Sequence, residues 1–271
     1  MTTKCKLYVS LVAFVLALLL GSFSYAQEAA EEPAAVESPA RPTANLNVSL
    51  FSQYIWRGFE LSKNSAVFFP SLTVAYKGFA CNVWTDFDTD YNHPLAQVGQ
   101  DSTQRLWETD LVLTYANSIS KLNYTFGWIY YDTNGYSAAE DSKNQELFLI
   151  LGYAWPLLNP TFSVWSEIEL GPSWYLNLAL SHSFGFDNGW SLDIGGWVSY
   201  WDQEWADYRS WHDGNLWAGL KIPITKYISL TPKVQYAFPL SSGADHAMQA
   251  ASFDGGDSQF VYGGLILDVT F

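Results

Sequence analysis

Histidine and serine are the residue types most able to form a hydrolytic pair, and His182 stands between Ser181 and Ser183. A nucleophilic serine needs a histidine within hydrogen-bonding reach. The segment is predicted to be a β-strand, in which neighbouring side chains point to opposite faces, so His182 cannot bond to either serine. The other histidines are expected in loops as solvated polar residues: His93, His212 and His246. The sequence therefore predicts no catalytic site, and we expect the protein not to be an enzyme.

Carboxylates are the second candidate set, because many recur at every second position. Residues two apart on a strand share a face. The acidic residues expected to line one face together are Asp86, Asp88, Glu108, Asp110, Glu146, Glu167, Glu169 and Asp193. The same face is expected to carry two basic residues and three tryptophans: Arg57, Lys233, Trp84, Trp165 and Trp197. The pattern predicts a polar, mainly acidic surface with aromatic side chains among the charges.

Two acidic segments, residues 86–90 and 254–257, carry oxygen ligands of the kind that calcium prefers. Neither segment has the glycine and closing glutamate that an EF-hand loop needs at fixed spacing. We therefore interpret both segments as a solvated rim, and we expect no metal and no cofactor.

The elements that would position these residues are strands, because the period of the chain is two from residue 45 onward. In one segment Leu122, Tyr124 and Phe126 alternate with Asn123 and Thr125. Twelve such segments can be counted, and no segment after residue 26 has the ~20 continuous apolar residues of a membrane helix. The fold class predicted is all-β: a transmembrane antiparallel β-barrel of about twelve strands.

The predicted connections alternate in length, as they do in bacterial barrels, except that one extracellular connection, Gly171-Pro172-Ser173, is short. The long, polar connections are expected on the extracellular side, at residues 58–68, 91–104, 132–143, 202–214 and 239–257. The rival reading is a soluble β-sandwich or barrel, which also alternates. A barrel of twelve strands has a bore between that of a filled eight-stranded barrel and an open porin.

The amino terminus predicts export. Lys4 and Lys6 precede an apolar run from Leu7 to Leu20, and cleavage is expected after Ala26. Residues 27–44 are rich in Ala, Glu and Pro, which predicts a short disordered periplasmic tail. The predicted domains are thus a signal peptide at residues 1–26, the tail at 27–44 and the barrel at 45–271.

Composition agrees with a membrane barrel. Aromatic residues make up 17% of the chain and charged residues 15%, whereas soluble proteins carry about 25% charged residues. Removing Lys4 and Lys6 leaves 11 basic against 27 acidic residues, a net charge of −16. This balance argues against nucleic-acid binding, which requires a basic surface.

The carboxy-terminal strand resembles the assembly signal of bacterial outer-membrane barrels. Leu267, Val269 and Phe271 share its apolar face, and Gly264 precedes them. We therefore expect localisation in the bacterial outer membrane. The partners expected are outer-membrane lipid, the barrel-assembly machinery and a small polar solute of unknown identity.

The stretch Ser52-Gln53-Tyr54-Ile55-Trp56-Arg57-Gly58-Phe59, with Pro70, Gly78-Phe79 and Val83-Trp84, resembles the opening of the TorF family of porins. The specific part is Tyr-x-Trp-Arg-Gly. Thr85-Asp86 follows Trp84 where the family pattern often has Ser-Asn. The resemblance covers residues 45–271 and implies an outer-membrane channel.

The function expected is passive diffusion of small polar solutes. Rings of charge set ion preference in a pore, so the acidic face is expected to disfavour anions. One alternative is a structural or adhesive barrel whose lumen is plugged by paired charges. A lipid-modifying barrel enzyme is a further alternative, and it would require a different inward-outward register.

Overall fold

The computed structural model describes residues 41–63, 65–89, 106–133, 143–155, 157–169 and 171–271. The predicted signal peptide, most of the predicted tail, His93 and Asp90 lie outside these residues. The strand that begins the barrel starts at Thr43, two residues before the expected boundary.

The described residues form fourteen strands and one α-helix. The elements in chain order are β1 Thr43–Phe51, β2 Ile55–Trp56, β3 Phe59–Glu60, β4 Val67–Tyr76, β5 Phe79–Asp88, β6 Leu106–Ile119, β7 Leu122–Asp132, β8 Lys143–Tyr153, β9 Thr161–Glu167, β10 Ser173–Gly185, β11 Ser191–Gln203, β12 Tyr208–Pro223, β13 Ile228–Pro239, α1 Ser242–Ala251 and β14 Phe260–Thr270. No helix among the described residues is long and apolar enough to cross a membrane.

Twelve of the strands form a closed antiparallel barrel, which confirms the predicted fold class. From β4 to β14 each wall strand pairs with the next, and β1 closes the barrel by pairing with both β4 and β14. Closure satisfies the backbone hydrogen bonds at both edges of the sheet, as hydrocarbon surroundings require. β2 and β3 form a separate two-stranded sheet.

The outer surface of the barrel is apolar, as the alternation predicts. Exposed side chains include Leu72, Leu113, Phe126, Leu178 and Val234. Several aromatic residues are exposed near strand ends, where interfacial girdles lie in membrane barrels: Tyr153, Trp155, Trp174 and Trp190.

The interior of the barrel is packed around the segment that joins β1 to β4. Three buried apolar clusters lie inside the wall. Trp56 packs against one cluster, Tyr54 belongs to the second, and Ile55 belongs to the third. We call this segment, residues 52–63, the lumen hairpin.

The lumen hairpin corrects two expectations from the sequence. The period of two continues the first strand through Tyr54 and Trp56 and predicts that both side chains point outward, and residues 58–68 were expected as an extracellular loop. Instead β1 ends at Phe51 and the chain turns into the lumen, where Tyr54 is buried. The alternation continues through β2, so periodicity could not separate a longer wall strand from an inward hairpin.

Two other predicted loops are largely ordered elements. Residues 202–214 were expected as a long loop, yet β11 runs to Gln203 and β12 begins at Tyr208. Residues 239–257 contain α1, whose N-cap Ser241 accepts a hydrogen bond from the Ala244 amide at 3.1 Å. This short polar helix lacks the long apolar stripe that identifies helices in sequence.

Candidate functional site in the barrel lumen

A tight turn places Arg57 at the tip of the lumen hairpin. Trp56 pairs with Phe59 across the turn, and the two central residues have positive φ angles, 47° at Arg57 and 79° at Gly58. This combination is typical of a type I′ turn, in which Asn, Asp or Gly is usual at the first position. A left-handed conformation costs a residue such as arginine about 1–2 kcal/mol. Arg57 therefore occupies a position that backbone preference alone would give to another residue.

The Arg57 guanidinium forms a bidentate ion pair with Glu146 of β8. Arg57 Nη1 donates to Glu146 Oε1 at 2.9 Å, and Nη2 donates to Oε2 at 2.7 Å. Tyr131 of β7 also donates its hydroxyl to Glu146 Oε2, at 2.9 Å. Both charged side chains are buried, with 2% and 4% exposure. Bidentate pairs of this kind are among the strongest hydrogen-bonded contacts in proteins.

Aromatic rings surround the same guanidinium. Arg57 Cζ lies 4.3 Å from the ring centroid of Tyr175, 5.2 Å from that of Trp201 and 5.9 Å from that of Trp165. The hairpin's own Trp56 supplies a fourth ring at 4.6 Å. These distances are within the ~6 Å range of cation–π attraction. The charge is therefore stabilised by one carboxylate and by a box of rings.

His212 holds the backbone of the hairpin tip. It was expected as a solvated loop residue, but it is fully buried on β12. Its Nε2 lies 2.9 Å from the Arg57 carbonyl oxygen, and its Nδ1 lies 2.6 Å from the Tyr208 hydroxyl. Because a carbonyl only accepts, Nε2 carries the proton, and Nδ1 of the neutral ring accepts from Tyr208.

Asp213, next to His212, accepts three side-chain hydrogen bonds. The donors are Tyr175 Oη at 2.8 Å, Trp197 Nε1 at 3.0 Å and Ser199 Oγ at 2.5 Å. Tyr175 thus links this carboxylate to the aromatic box. The sequence missed His212, Asp213 and Tyr131. His212 and Asp213 are adjacent and both buried, because the β11–β12 register shifts between the Val198–Gly214 and Tyr200–Trp211 pairs, and a period of two does not reveal such an irregularity.

Acidic side chains line the wall formed by β5 and β6. Asp86 and Glu108 are cross-strand partners, and Asp88 and Asp110 are buried on the same face. Tyr54 of the hairpin donates to Glu108 Oε2 at 2.9 Å. On the next part of the wall, Glu146 and Glu167 are partners across β8 and β9.

The remaining candidate residues occupy different depths. Trp84 and Trp165 are buried in the lumen clusters. Lys233 is buried with Nζ 5.4 Å from the Trp217 ring centroid. Asp193 accepts from Ser183 at 2.6 Å near the end of the barrel opposite the hairpin.

Glu169 does not lie where the sequence predicted. It was expected on the inward face, but β9 ends at Glu167 and Glu169 is exposed beyond it. There it accepts a hydrogen bond from Gln145, which also bonds to Trp128. Strand periodicity fails past Glu167 because the chain has already left the sheet.

The segment 254–257 is paired with a lysine of the hairpin. Lys63 Nζ lies 2.6 Å from an Asp254 oxygen and 3.0 Å from an Asp257 oxygen. The hydrogen bond to Asp254 raises the pKa of Lys63. Within the described part of the chain, no three His, Cys, Asp or Glu side chains are grouped as metal ligands.

Two further sequence expectations concern β10 and β14. Ser181 is fully buried on the lumen side and lies 3.4 Å from the Asn159 carbonyl oxygen, whereas His182 contacts Phe184. In β14, Leu267 pairs with Val48 and Val269 with Leu46, while Phe271 follows the strand and is exposed. At Gly264 a Cβ atom would lie 1.7 Å from the Leu50 carbonyl oxygen, so the closing pair of strands requires glycine there.

No family model and no curated protein matches the chain. Among solved structures the NanC porin is similar, with a TM-score of 0.51 and 10% identity over 83% of this chain and 98% of that chain. The translocator domain of the autotransporter NalP from Neisseria meningitidis gives a TM-score of 0.43 and 10% identity over 88% and 90% of the two chains. OmpT of Vibrio cholerae gives 0.41 and 7% over 88% and 100%.

The likeness to the NanC porin is one of fold. Together with the closed wall and the exposed apolar belt, it defines the protein as a β-barrel of the outer-membrane type. The two scores below 0.5 add nothing to this.

Proposed function

We propose that the protein is an outer-membrane channel for passive diffusion of small polar solutes, closed in this conformation by the lumen hairpin. The observation that supports this most is that β2 and β3 form their own sheet and are not part of the wall. The hairpin from Gln53 onward can therefore leave the lumen without breaking the hydrogen-bond ladder that holds the barrel closed, while the Ser52 amide stays bonded to the Gly263 carbonyl oxygen of β14 at 3.0 Å. A bore of twelve strands without this segment lies between that of filled barrels and that of open porins.

The lumen away from the hairpin supports passage of polar solutes. Asn47 bonds to Asp268 at 2.8 Å, and Asn82 bonds to Ser71 at 2.7 Å and to Thr73 at 2.8 Å. These short polar side chains leave hydrogen-bonding groups on the wall without the bulk of the aromatic clusters.

The charge of the lumen favours cations and neutral solutes over anions. The buried carboxylates on the wall include Asp86, Asp88, Glu108, Asp110 and Glu167. Arg57 shares its charge with Glu146, so its positive field is largely neutralised. Acidic rings of this kind raise the local cation concentration in a pore.

Planar-bilayer recording tests this proposal. A variant in which residues 53–61 are replaced by a short Gly-Ser linker should conduct far more often than the wild type, with a reversal potential of cation sign in a salt gradient. Folding is checked separately by the heat-dependent mobility of the barrel on gels. A folded, linker-bearing barrel that passes no current would overturn the channel, and an anion-signed reversal potential would overturn the charge preference.

The second candidate function is a structural or adhesive barrel with a plugged lumen. The observation that favours it is the depth at which the Arg57–Glu146 pair is buried. The same recording separates the two functions, because a structural barrel gains no conductance when the hairpin is shortened and the barrel is correctly folded.

Membership of the TorF family is part of the proposal, and its support is the Tyr-x-Trp-Arg-Gly motif, which builds the lumen hairpin. We further propose export with cleavage after Ala26 and insertion by the barrel-assembly machinery, directed by the strand that ends at Phe271. Amino-terminal sequencing of the protein from outer membranes would check the cleavage site. A mature chain that begins elsewhere than Gln27 would contradict it.

A further inference from the structure

The groups that hold the Arg57 guanidinium belong almost entirely to the barrel wall. They come from five consecutive strands, β7 to β11: Tyr131, Glu146, Trp165, Tyr175 and Trp201. We call these five residues the wall pocket. Arg57 enters it from a separate element, so the pocket and its occupant are not parts of one rigid unit.

The wall pocket is complementary to a guanidinium group in both shape and charge. Glu146 presents both carboxylate oxygens to two nitrogens, at 2.9 and 2.7 Å, which matches the planar fork of a guanidinium. Tyr131 fixes one of these oxygens by donating to it. A simple ammonium cannot form both bonds in one plane, so the pocket discriminates between the two kinds of cation.

Arg57 occupies the pocket imperfectly. Its backbone has the left-handed φ of 47° at the turn, and its Nε is buried without a hydrogen-bond partner among the described residues. An unsatisfied buried donor costs about 1–3 kcal/mol. A free guanidinium compound would make the same contacts with the five wall residues without the turn strain.

We propose that the wall pocket is a binding site for small guanidinium-bearing solutes, and that Arg57 is a built-in occupant with which they compete. The inference deepens the proposed function and rests on it for transport: a guanidinium compound that takes the pocket displaces the hairpin and travels through the channel. The binding step itself does not depend on conduction. It requires only that the hairpin leaves the pocket from time to time.

Hydrogen exchange of the wild-type barrel tests the competition. Ethylguanidinium carries the atoms of arginine beyond Cβ, and ethylammonium is its matched control. At equal concentrations, ethylguanidinium should accelerate amide exchange in residues 52–63 in a saturable way, and ethylammonium should not. Glu146→Gln should abolish the difference between the two compounds. Equal effects of both compounds, or an effect that survives Glu146→Gln, would overturn the proposal.

Calorimetric titration of an Arg57→Ala barrel provides a second, independent measurement. Ethylguanidinium should bind with at least a tenfold preference over ethylammonium, and Arg57→Lys, which keeps a cation in the pocket, should weaken that binding. If Arg57→Ala does not fold, Arg57→Met retains the apolar stem and takes its place. No preference in a folded variant would overturn the pocket as a guanidinium site. If ethylguanidinium binds but the barrel does not conduct, the binding site stands and the channel function is rejected. If the barrel conducts but does not bind ethylguanidinium, the channel function stands and the binding site is rejected.

Discussion

Arg57 and Glu146 show how a buried charge is kept in a barrel lumen. Each charge has lost its water, and the attraction between the two must offset that loss. The offset is efficient here because two hydrogen bonds, a tyrosine hydroxyl and several ring faces all act on the same pair. The barrel should therefore be destabilised far more by the loss of one partner than by the loss of both.

Removing one member of the pair should expose this dependence. Glu146→Leu leaves a buried cation and should lower the free energy of unfolding by about 3–5 kcal/mol, whereas Arg57→Met with Glu146→Leu should be much closer to wild type. The measurement is urea unfolding in lipid vesicles, followed by tryptophan fluorescence. If the double variant is as unstable as the sum of the single variants, the two side chains do not act as a pair.

Gly264 permits the closest backbone approach at the seam between β1 and β14. Gly264→Ala should destabilise the barrel by about 1–3 kcal/mol or prevent its closure, because the added methyl meets a backbone oxygen that cannot rotate away. Gly256→Ala is the matched control, since a Cβ there meets nothing within 4 Å. The fraction of folded barrel on unheated gels reports both variants, and equal fractions would refute the steric argument.

At the scale of elements, the lumen hairpin contacts α1 as well as the wall. Met248 is fully buried on the helix, and a Cβ at Gly58 would lie 2.4 Å from its Cε atom. Phe253, just beyond the helix, donates its amide to Glu60 at 3.0 Å. The helix thus packs against the hairpin turn next to Asp213 of the wall, whose Cβ atom would lie 3.1 Å from the same added Cβ at Gly58.

Met248→Ala should therefore loosen the hairpin without opening the wall. Truncation of a buried methionine costs about 2–5 kcal/mol. We expect faster amide exchange in residues 52–63, unchanged exchange in the β6–β7 ladder, and no effect from His246→Ala on the exposed side of the same helix. Uniform acceleration throughout the barrel would show that α1 stabilises the wall instead.

The sequence predicts the lumen hairpin and α1 less well than it predicts the wall. Ile55 and Trp56 continue the alternation of β1, so the point at which the chain turns inward has no signature in hydrophobic periodicity. In α1 only Ala244 and Met248 are buried, so the apolar face is too small to distinguish the helix from a polar loop. Both elements are specified by what they pack against, which a single sequence does not display.

At the scale of the whole molecule, the wall follows directly from sequence because inward and outward residues alternate along most of each strand. The contacts inside the wall do not follow in this way. Arg57 and Glu146 are 89 positions apart, and the register of the four intervening wall strands, β4 to β7, not their composition, brings them together. The sequence predicted an acidic lumen containing Arg57, but not the carboxylate that Arg57 selects.

The outer belt makes a prediction that depends on depth. Leu178 lies outward near the middle of β10 and is 51% exposed, while Ile119 lies outward at the end of β6 and is 66% exposed. Leu178→Arg should cost about 2–4 kcal/mol in a bilayer, and Ile119→Arg about 0–1 kcal/mol. Unfolding in vesicles measures both. Equal costs would mean that one of the two positions is misplaced relative to the hydrocarbon region.

The seam between β1 and β14 has a consequence for how the barrel is built. It joins Asn45 to Thr270, 225 positions away, so the wall closes only when the last strand arrives. The lumen hairpin leaves β1, one edge of that seam, and Ile55 packs against Phe260 and Tyr262 at the start of β14, the other edge. Closing the ring and sealing its interior are therefore the same event. A barrel assembled in this way already holds the hairpin in its lumen when the last strand completes the ring.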